Sequence, residues 1–405
     1  VRRDRIAIAY DCLFPHSTGG GERVYRSYAE HLQHRGIDVD YFTTRQWPAD
    51  EAPAQDAFTV IPVTGALRLY DEKGVRRTSA ALAYAWGLFR FLLRRRREYR
   101  AIIVSGLPIL NVFAARAALA GSGTRIVVDY LEVWGRAQWI EYAGRVTGTV
   151  AWALQRIAVR LTPIATCHSQ LTATQLQREG LRGRLAISPG LIDGDSPNRF
   201  SPEAASPPYA VYAGRHIPDK RVEVIPAAIA AAREQIPDLR LVILGSGPST
   251  SAVDDAITAV NGEAWTEREG FVSQERLDEI MAGAALLVNP SRREGYGLVV
   301  VEASAHGTPV VLVSDPGNAA TELIEAGVNG YIADSTSPSD LGDTIVRAVR
   351  GGTTLRRSAR SWYESAITTR TVARTVDGIL TELGSPPDPQ RTADDHRAET
   401  PEGST

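Results

Sequence analysis

Short apolar runs alternate with helical patterns along most of this chain, and that alternation allows few folds. Ile6 to Tyr10, Val39 to Thr43, Phe58 to Val63, Ala101 to Ser105, Arg125 to Tyr130 and Ile164 to Thr166 read as strands in the first half. Tyr209 to Ala213, Arg240 to Leu244, Ala284 to Val288 and Pro309 to Val313 do so in the second. Strands separated by helices pair in parallel, because each crossover returns the chain to the same end of the sheet. Between the two sets, residues 191–208 are loaded with Gly, Pro, Ser and Asp, which breaks both periodicities. The expected class is α/β, with two doubly wound domains, 1–190 and 209–354, facing a cleft across the linker 191–208. Residues 355–383 read as helical, and the Pro-rich, polar stretch 384–405 as a disordered tail.

The 405 residues, 43% hydrophobic, suffice for two ordinary cores. A net charge of -2 gives no reason to expect nucleic acid as a partner. Cys12 and Cys167 are too few for a disulfide framework, so a reducing cytoplasm is the expected compartment. The basic N-terminus carries only a short apolar run ending at Asp11 and reads as a first strand, not a signal peptide.

The chemistry concentrates at Glu294-Gly295-Tyr296-Gly297-Leu298, where an apolar strand, a glycine loop and a helix follow one another. Seven residues separate Glu294 from Glu302. A helix beginning near Leu298 offers unpaired N–H groups and partial positive charge, suited to phosphate oxygens. Glu302, about a turn inside, leans back toward whatever the loop holds, and an ionised carboxylate suits a ribose diol. Glu294, ahead of the helix, faces another part of the same ligand. The bland alternative is an ordinary helix-start acid beside a satisfied helical Glu.

The chain resembles the retaining glycosyltransferases of family 4, which have the GT-B fold. The resemblance rests on the Glu294-x7-Glu302 motif followed by Ala303-Ser304-Ala305-His306-Gly307-Thr308-Pro309, on Gly327-Val328-Asn329-Gly330-Tyr331, and on Tyr212-Ala213-Gly214-Arg215 with Lys220. Leu244-Gly245-Ser246-Gly247-Pro248 and Gly19-Gly20-Gly21-Glu22 extend it along the chain. It implies two Rossmann-like domains, a C-terminal helix over 355–383 that crosses back to the first domain, and a nucleotide-diphosphate sugar, UDP- or GDP-linked, as co-substrate. Arg215 and Lys220 resemble the diphosphate-binding pair and, with Glu294, are the catalytic candidates. Gly20, Gly21, Phe271, Val272, Gly295, Tyr296, Gly297, Leu298 and Glu302 complete the donor set, with Phe271 and Val272 holding the base through their backbone. The family has glycine after the lysine, where Arg221 stands, and one branch has histidine where Leu131 stands. His16, Asp129, Glu132 and Trp134 are the acceptor candidates.

Family likeness implies transfer of a sugar to a hydroxyl of a glycan, lipid-linked or small-molecule acceptor with retention. Two alternatives stay open: an inverting transferase using His16, and a nucleotide-sugar-binding protein without turnover. His168, before Ser169 and Thr172, reads as part of a helix start. Asp38-Val39-Asp40 and Asp193-Gly194-Asp195 are the Asp-x-Asp candidates for a metal, but neither follows a strand facing the donor, so no metal and no other cofactor is expected. Residues 80–97, an aromatic apolar stretch ending in Arg94-Arg95-Arg96-Arg97, are too short to span a bilayer, which needs ~20 apolar residues. They suit either a packed helix with a solvated basic end or a helix lying on the anionic inner face of the cell membrane.

Overall fold

The computed structural model describes residues 4–384 other than 18, 49, 52, 54–56, 72–74 and 194–198. The expected tail beyond Gly384, and Gly194-Asp195 of the second Asp-x-Asp, lie outside the described residues. The first sheet comprises β1 (Arg5–Ala9), β2 (Asp38–Thr44), β3 (Thr59–Thr64), β4 (Ala101–Ser105), β5 (Arg125–Tyr130), β6 (Ile164–Cys167) and β7 (Arg184–Ile187). They are all parallel, in the order β3-β2-β1-β4-β5-β6-β7. The second half provides β8 (Tyr209–Ala213), β9 (Arg240–Leu244), β10 (Thr266–Glu269), β11 (Leu286–Asn289), β12 (Arg293–Glu294), β13 (Val310–Val313), β14 (Gly317–Asn318) and β15 (Gly330–Ala333). Six of these form a parallel sheet, β10-β9-β8-β11-β13-β15, while β12 and β14 pair separately.

Around the first sheet lie α1 (Gly20–His34), α2 (Thr78–Arg95), α3 (Leu110–Ala118), α4 (Arg136–Ala143), α5 (Arg145–Leu161) and α6 (Gln170–Arg178). Around the second lie α7 (Ile225–Arg233), α8 (Thr250–Ala259), α9 (Gln274–Gly283), α10 (Leu298–Ala305) and α11 (Pro338–Thr369), while α12 (Val372–Glu382) returns to the first. The central strands are apolar on both faces because both faces are covered. In β1, Ile6 and Ile8 pack with Tyr25, Tyr28 and Leu32 of α1, whereas Ala7 and Ala9 pack with Leu88 of α2 and Val112 of α3.

The chain leaves β1 toward β2 on one side and later returns to β4 on the other, so a crevice opens beyond the carboxyl ends of β1 and β4. The same reversal occurs in the second sheet around β8, between β9 and β11. The loops after β1, β8 and β11 are therefore where a ligand meets this fold.

The helical stretch expected over 355–383 is two helices. Residues 355–369 belong to α11, which has non-helical backbone at Gly352 (φ 49°, ψ -143°), and a break at Arg370–Thr371 precedes α12. Thr371 caps α12 by accepting from Arg374 N, and its neighbours pair with Ile192 in a short parallel bridge. α12 then lies against α1, where Arg35 Nε donates to Asp377 Oδ1 at 2.7 Å. Arg356 of α11 is buried and donates to the carbonyls of Ser201 (2.8 Å) and Ala282 (2.5 Å), tying the crossing segment to the second sheet. Burial lowers its guanidinium to about 10.

Candidate active site

Glu294 sits on β12, and its place is set by a chain of amide contacts. Asn318 Nδ2 donates to the Ser291 carbonyl at 3.0 Å, and Ser291 Oγ donates to Asn289 Oδ1 at 2.5 Å. This turns the Asn289 amide so that Nδ2 donates to Glu294 Oε1 at 3.2 Å. Lys220, in the turn after β8, brings Nζ to 2.5 Å from the same oxygen. Burial works to raise the Glu294 carboxyl, but the Lys220 charge and hydrogen bonds from Lys220, Ser291 and Asn289 outweigh it, and the group is held below its usual value. Glu294 is therefore an ionised acceptor at neutral pH.

The lysine turn keeps its shape without glycine. Arg221 itself adopts the left-handed conformation (φ 49°, ψ 39°), and its Nη2 is 2.8 Å from Asp315 Oδ2. Asp219 pairs with both Arg292 (2.8 Å) and Arg293, stitching the loop after β8 to the loop after β11. Burial opposes the Asp219 charge, and the two guanidinia more than offset it, lowering its carboxyl. Arg215 is exposed, and its guanidinium has no ion-pair partner among the described residues.

The two halves of the molecule meet at their glycines. α1 and α10 begin side by side: a Cβ on Gly20 would lie 3.2 Å from Leu298 Cδ1. A Cβ on Gly21 would lie 2.8 Å from the Tyr10 hydroxyl, and one on Gly295 only 2.1 Å from the Leu131 carbonyl oxygen. Gly297 caps α10 in the left-handed region (φ 102°, ψ 52°), beside Ala320. Two helix starts, each with unpaired N–H groups, thus face one region of the cleft.

Glu302 lies on α10 and forms an ion pair with Arg23 of α1. Both line a cavity of about 300 Å3 that also touches Gln274 and Leu277 of α9, Asp193 and Met281. Phe271, 68% exposed, and Val272 lie in the loop that leads into α9. Tyr296 is buried under this corner.

From the first half, Glu132 and Trp134 come to the same place as Glu294, lining a small cavity with it. Trp134 Nε1 donates to Glu132 Oε2 at 2.7 Å, and the Arg293 guanidinium lies 4.2 Å from the Trp134 ring centre. Burial raises the Glu132 carboxyl, and the Glu294 charge adds to this against the Trp134 hydrogen bond, Lys220 and Arg293. Beyond Trp134 a cavity of about 380 Å3 opens between Gln138, Glu141 and Arg178 on one side and Arg292, Arg293 and Gly317 on the other.

The other two acceptor candidates do not line that small cavity. Asp129 is fully buried, accepting from Thr166 Oγ1 at 2.5 Å and lying 3.1 Å from His168 Nε2. His168 Nδ1 is 2.7 Å from Ser188 Oγ, so the histidine is an interior link; the helix cap is Ser169. His16 is exposed and packs against Trp47, ring centres 5.4 Å apart. Of the Asp-x-Asp residues, Asp40 accepts from Tyr99 at 2.6 Å and Asp193 lies 3.9 Å from His31. Among the described residues, no three His, Cys, Asp or Glu side chains converge as a metal site.

Comparison with known proteins bears directly on this geometry. Residues 19–190 match the family described as glycosyl transferase 4-like domain, and residues 196–367 match glycosyl transferases group 1. The chain belongs to the family 4 glycosyltransferases. D-inositol 3-phosphate glycosyltransferase of Nocardioides sp. is 32% identical over 171 residues, covering 38% of this chain and 37% of that protein. The match thus spans little more than a third of that relative's length. Sucrose-phosphate synthase from Thermosynechococcus elongatus superposes with a TM-score of 0.76 over 98% of this chain and all of its own, at 17% identity. HepE of Anabaena, solved with UDP-glucose, superposes with a TM-score of 0.67 over 94% of this chain and all of its own, also at 17%. At such identities the superpositions establish the GT-B fold.

For a family 4 chain, several residues around Glu294 carry no signal of their own in the sequence. Arg23, Asp219, Arg292 and Arg293 are brought in by partners far along the chain. Asn289 and Ser291 stand in the stretch that carries the motif, yet only the fold gives them their role. A further buried pair, Asp11 at the end of β1 with Arg76, also escapes the sequence. Burial raises the Asp11 carboxyl, which Arg76 partly offsets. Arg76 N in turn donates to the Tyr142 hydroxyl at 2.8 Å.

Proposed function

We propose that the chain transfers a sugar from a UDP- or GDP-linked donor to a hydroxyl acceptor with retention of anomeric configuration. The observation that carries this reading is the Lys220–Glu294 pair at the switch point of the second sheet, beside the paired starts of α1 and α10. Breaking the sugar–phosphate bond drives negative charge onto the departing diphosphate. Arg215, Lys220 and the first-turn amides of the two helices, including Gly20, Gly21 and Leu298, are the donors to receive it. Glu294, ionised, accepts from hydroxyls of the donor sugar. Glu302 takes the ribose once Arg23 yields, with the base against the backbone of Phe271 and Val272. The acceptor enters beside Glu132 and Trp134, and its proton leaves with the diphosphate.

We place the enzyme in the cytoplasm, which the two buried, unpaired cysteines favour. We place it peripherally on an anionic leaflet through residues 80–97, whose exposed Trp86 and Arg94 to Arg97 support the reading. No helix among the described residues is long and apolar enough to cross a membrane. The deciding experiment incubates the protein with UDP-, GDP-, ADP- and TDP-sugars and measures nucleoside diphosphate release, then reads the product's anomeric proton by NMR. Release with retention is expected. Binding without release under any acceptor overturns catalysis in favour of a scaffold, and an inverted product overturns retention.

A further inference from the structure

Twelve large apolar side chains are exposed among the described residues, and seven of them lie on just two helices. Leu82 (55%), Trp86 (59%) and Leu93 belong to α2; Val146 (78%), Val150 (55%), Ile157 and Leu161 belong to α5. On α5 they fall at i, i+4, i+11 and i+15, a single stripe down the helix. The buried sides of α2, α3 and α5 share one core cluster against Ala7 and Ala9 of β1, so the three helices cover the same face of the sheet. Their exposed sides consequently point the same way. Together the three carry seven arginines and no carboxylate, and Arg94 to Arg97 are all exposed at the end of α2.

We infer that α2 and α5 form one docking face for an anionic bilayer, with the α5 stripe entering the headgroup region alongside Trp86. The inference rests on the membrane reading of 80–97 and adds a second line of contact. Two parallel lines of insertion fix how the molecule sits, where one helix would leave it free to roll. Both helices run back against the direction of the strands, so Leu82, Trp86, Val146 and Val150 lie at the end where the strands open into the cleft. Docking there holds the cleft mouth at the lipid surface. A second copy of the chain is the poorer occupant, because the seven arginines of the three helices outnumber the carboxylates paired with them, Glu98 and Glu179, and two such faces would repel one another.

Sedimentation of the full chain with vesicles tests this, using phosphatidylcholine alone or mixed with phosphatidylglycerol. The protein is expected to pellet with the anionic vesicles and to be released as salt rises. Val150→Glu with Ile157→Glu is expected to weaken that binding about tenfold, as is Trp86→Glu. Thermal unfolding and donor turnover of these variants serve as controls, since every altered side chain is exposed. If the α5 double variant binds like wild type while Trp86→Glu does not, the two-helix face is overturned and the single-helix reading survives. If wild type leaves all vesicles in the supernatant, both are overturned. A wild-type dimer dissolved by the α5 substitutions, with no lipid binding, assigns the stripe to a second copy and overturns the proposal. Vesicle binding is read without turnover, so its outcome is separate from that of the transferase assay.

Discussion

Replacing Lys220 with methionine removes one half of a largely buried ion pair and keeps the volume. The Lys220 and Glu294 side chains are only 21% and 14% exposed. Breaking a buried pair costs about 3–5 kcal/mol, and their partial exposure places this one at the lower end, ~3 kcal/mol. For the lobe around the second sheet that is a melting point lower by roughly 6–12 °C. The pH dependence gives the sharper test. In the wild type the Glu294 carboxyl is held below its usual 4.5, so its stabilisation is present above that value and is lost as pH falls through the folded value. Without Lys220, the two largest contributions that lower the carboxyl are gone, burial faces the hydrogen bonds of Ser291 and Asn289, and the folded value rises. The penalty in Lys220→Met is then full at neutral pH and shrinks as the pH is lowered toward the raised value. Urea unfolding of both proteins at pH 7 and pH 5 measures it. If the same ~3 kcal/mol is withheld from the transition state, kcat/KM for nucleoside diphosphate release falls about 150-fold. A variant with the wild-type midpoint at pH 7, or with kcat/KM within about twofold of wild type, would refute the reasoning.

Arg215→Ala should separate function from stability: its guanidinium is exposed and has no ion-pair partner among the described residues, so the unfolding free energy should stay within about 0.5 kcal/mol while kcat/KM drops about a hundredfold. Glu302→Gln removes both the Arg23 ion pair and the carboxylate proposed to take the ribose, and should raise the donor KM by about tenfold, whereas Arg23→Ala, which frees Glu302, should not. Gly295→Ala puts a Cβ 2.1 Å from the Leu131 carbonyl oxygen, so donor binding measured by calorimetry should survive while kcat falls. On the proposal that fixed cations and helix starts supply the positive charge, EDTA should leave release unchanged. A loss restored by Mg2+ would count against that assignment.

The central strands were legible because burial on both faces leaves them continuously apolar. Those that escaped carry polar side chains or stand at the border of a sheet. β10 reads Thr-Glu-Arg-Glu and lies at one edge of its sheet, β7 (Arg-Leu-Ala-Ile) at an edge of the other, and β15 opens on the glycine of Gly330–Ala333. Glu294, Glu302, Arg215 and Lys220 carry motifs: Glu294 stands just ahead of α10, Glu302 inside that helix, and Arg215 and Lys220 in the turn after β8. Arg23 does not: 279 positions separate it from Glu302, and no local pattern links them. The same holds for Asp219, 74 positions from Arg293. Asp129 is the opposite case: a position at the end of a strand says nothing about which way the side chain turns, and this one is buried against Thr166 and His168.

The glycines show most clearly how reading and structure divide. In the sequence, Gly20, Gly21 and Gly295 are places where a backbone can approach a ligand. In the folded chain the partners that approach are its own Leu298, Tyr10 and Leu131. These two statements describe one requirement. At Gly20 and Gly295 a Cβ would meet Leu298 and Leu131 of the opposite half, so residues without one let the two halves come this close, while Gly21 is crowded by Tyr10 of its own half. The same approach of the two halves sets Glu132 of one beside Glu294 of the other, one carboxyl pushed up and the other held down. Neither half alone contains that pair, so any reaction that depends on it needs both halves in place.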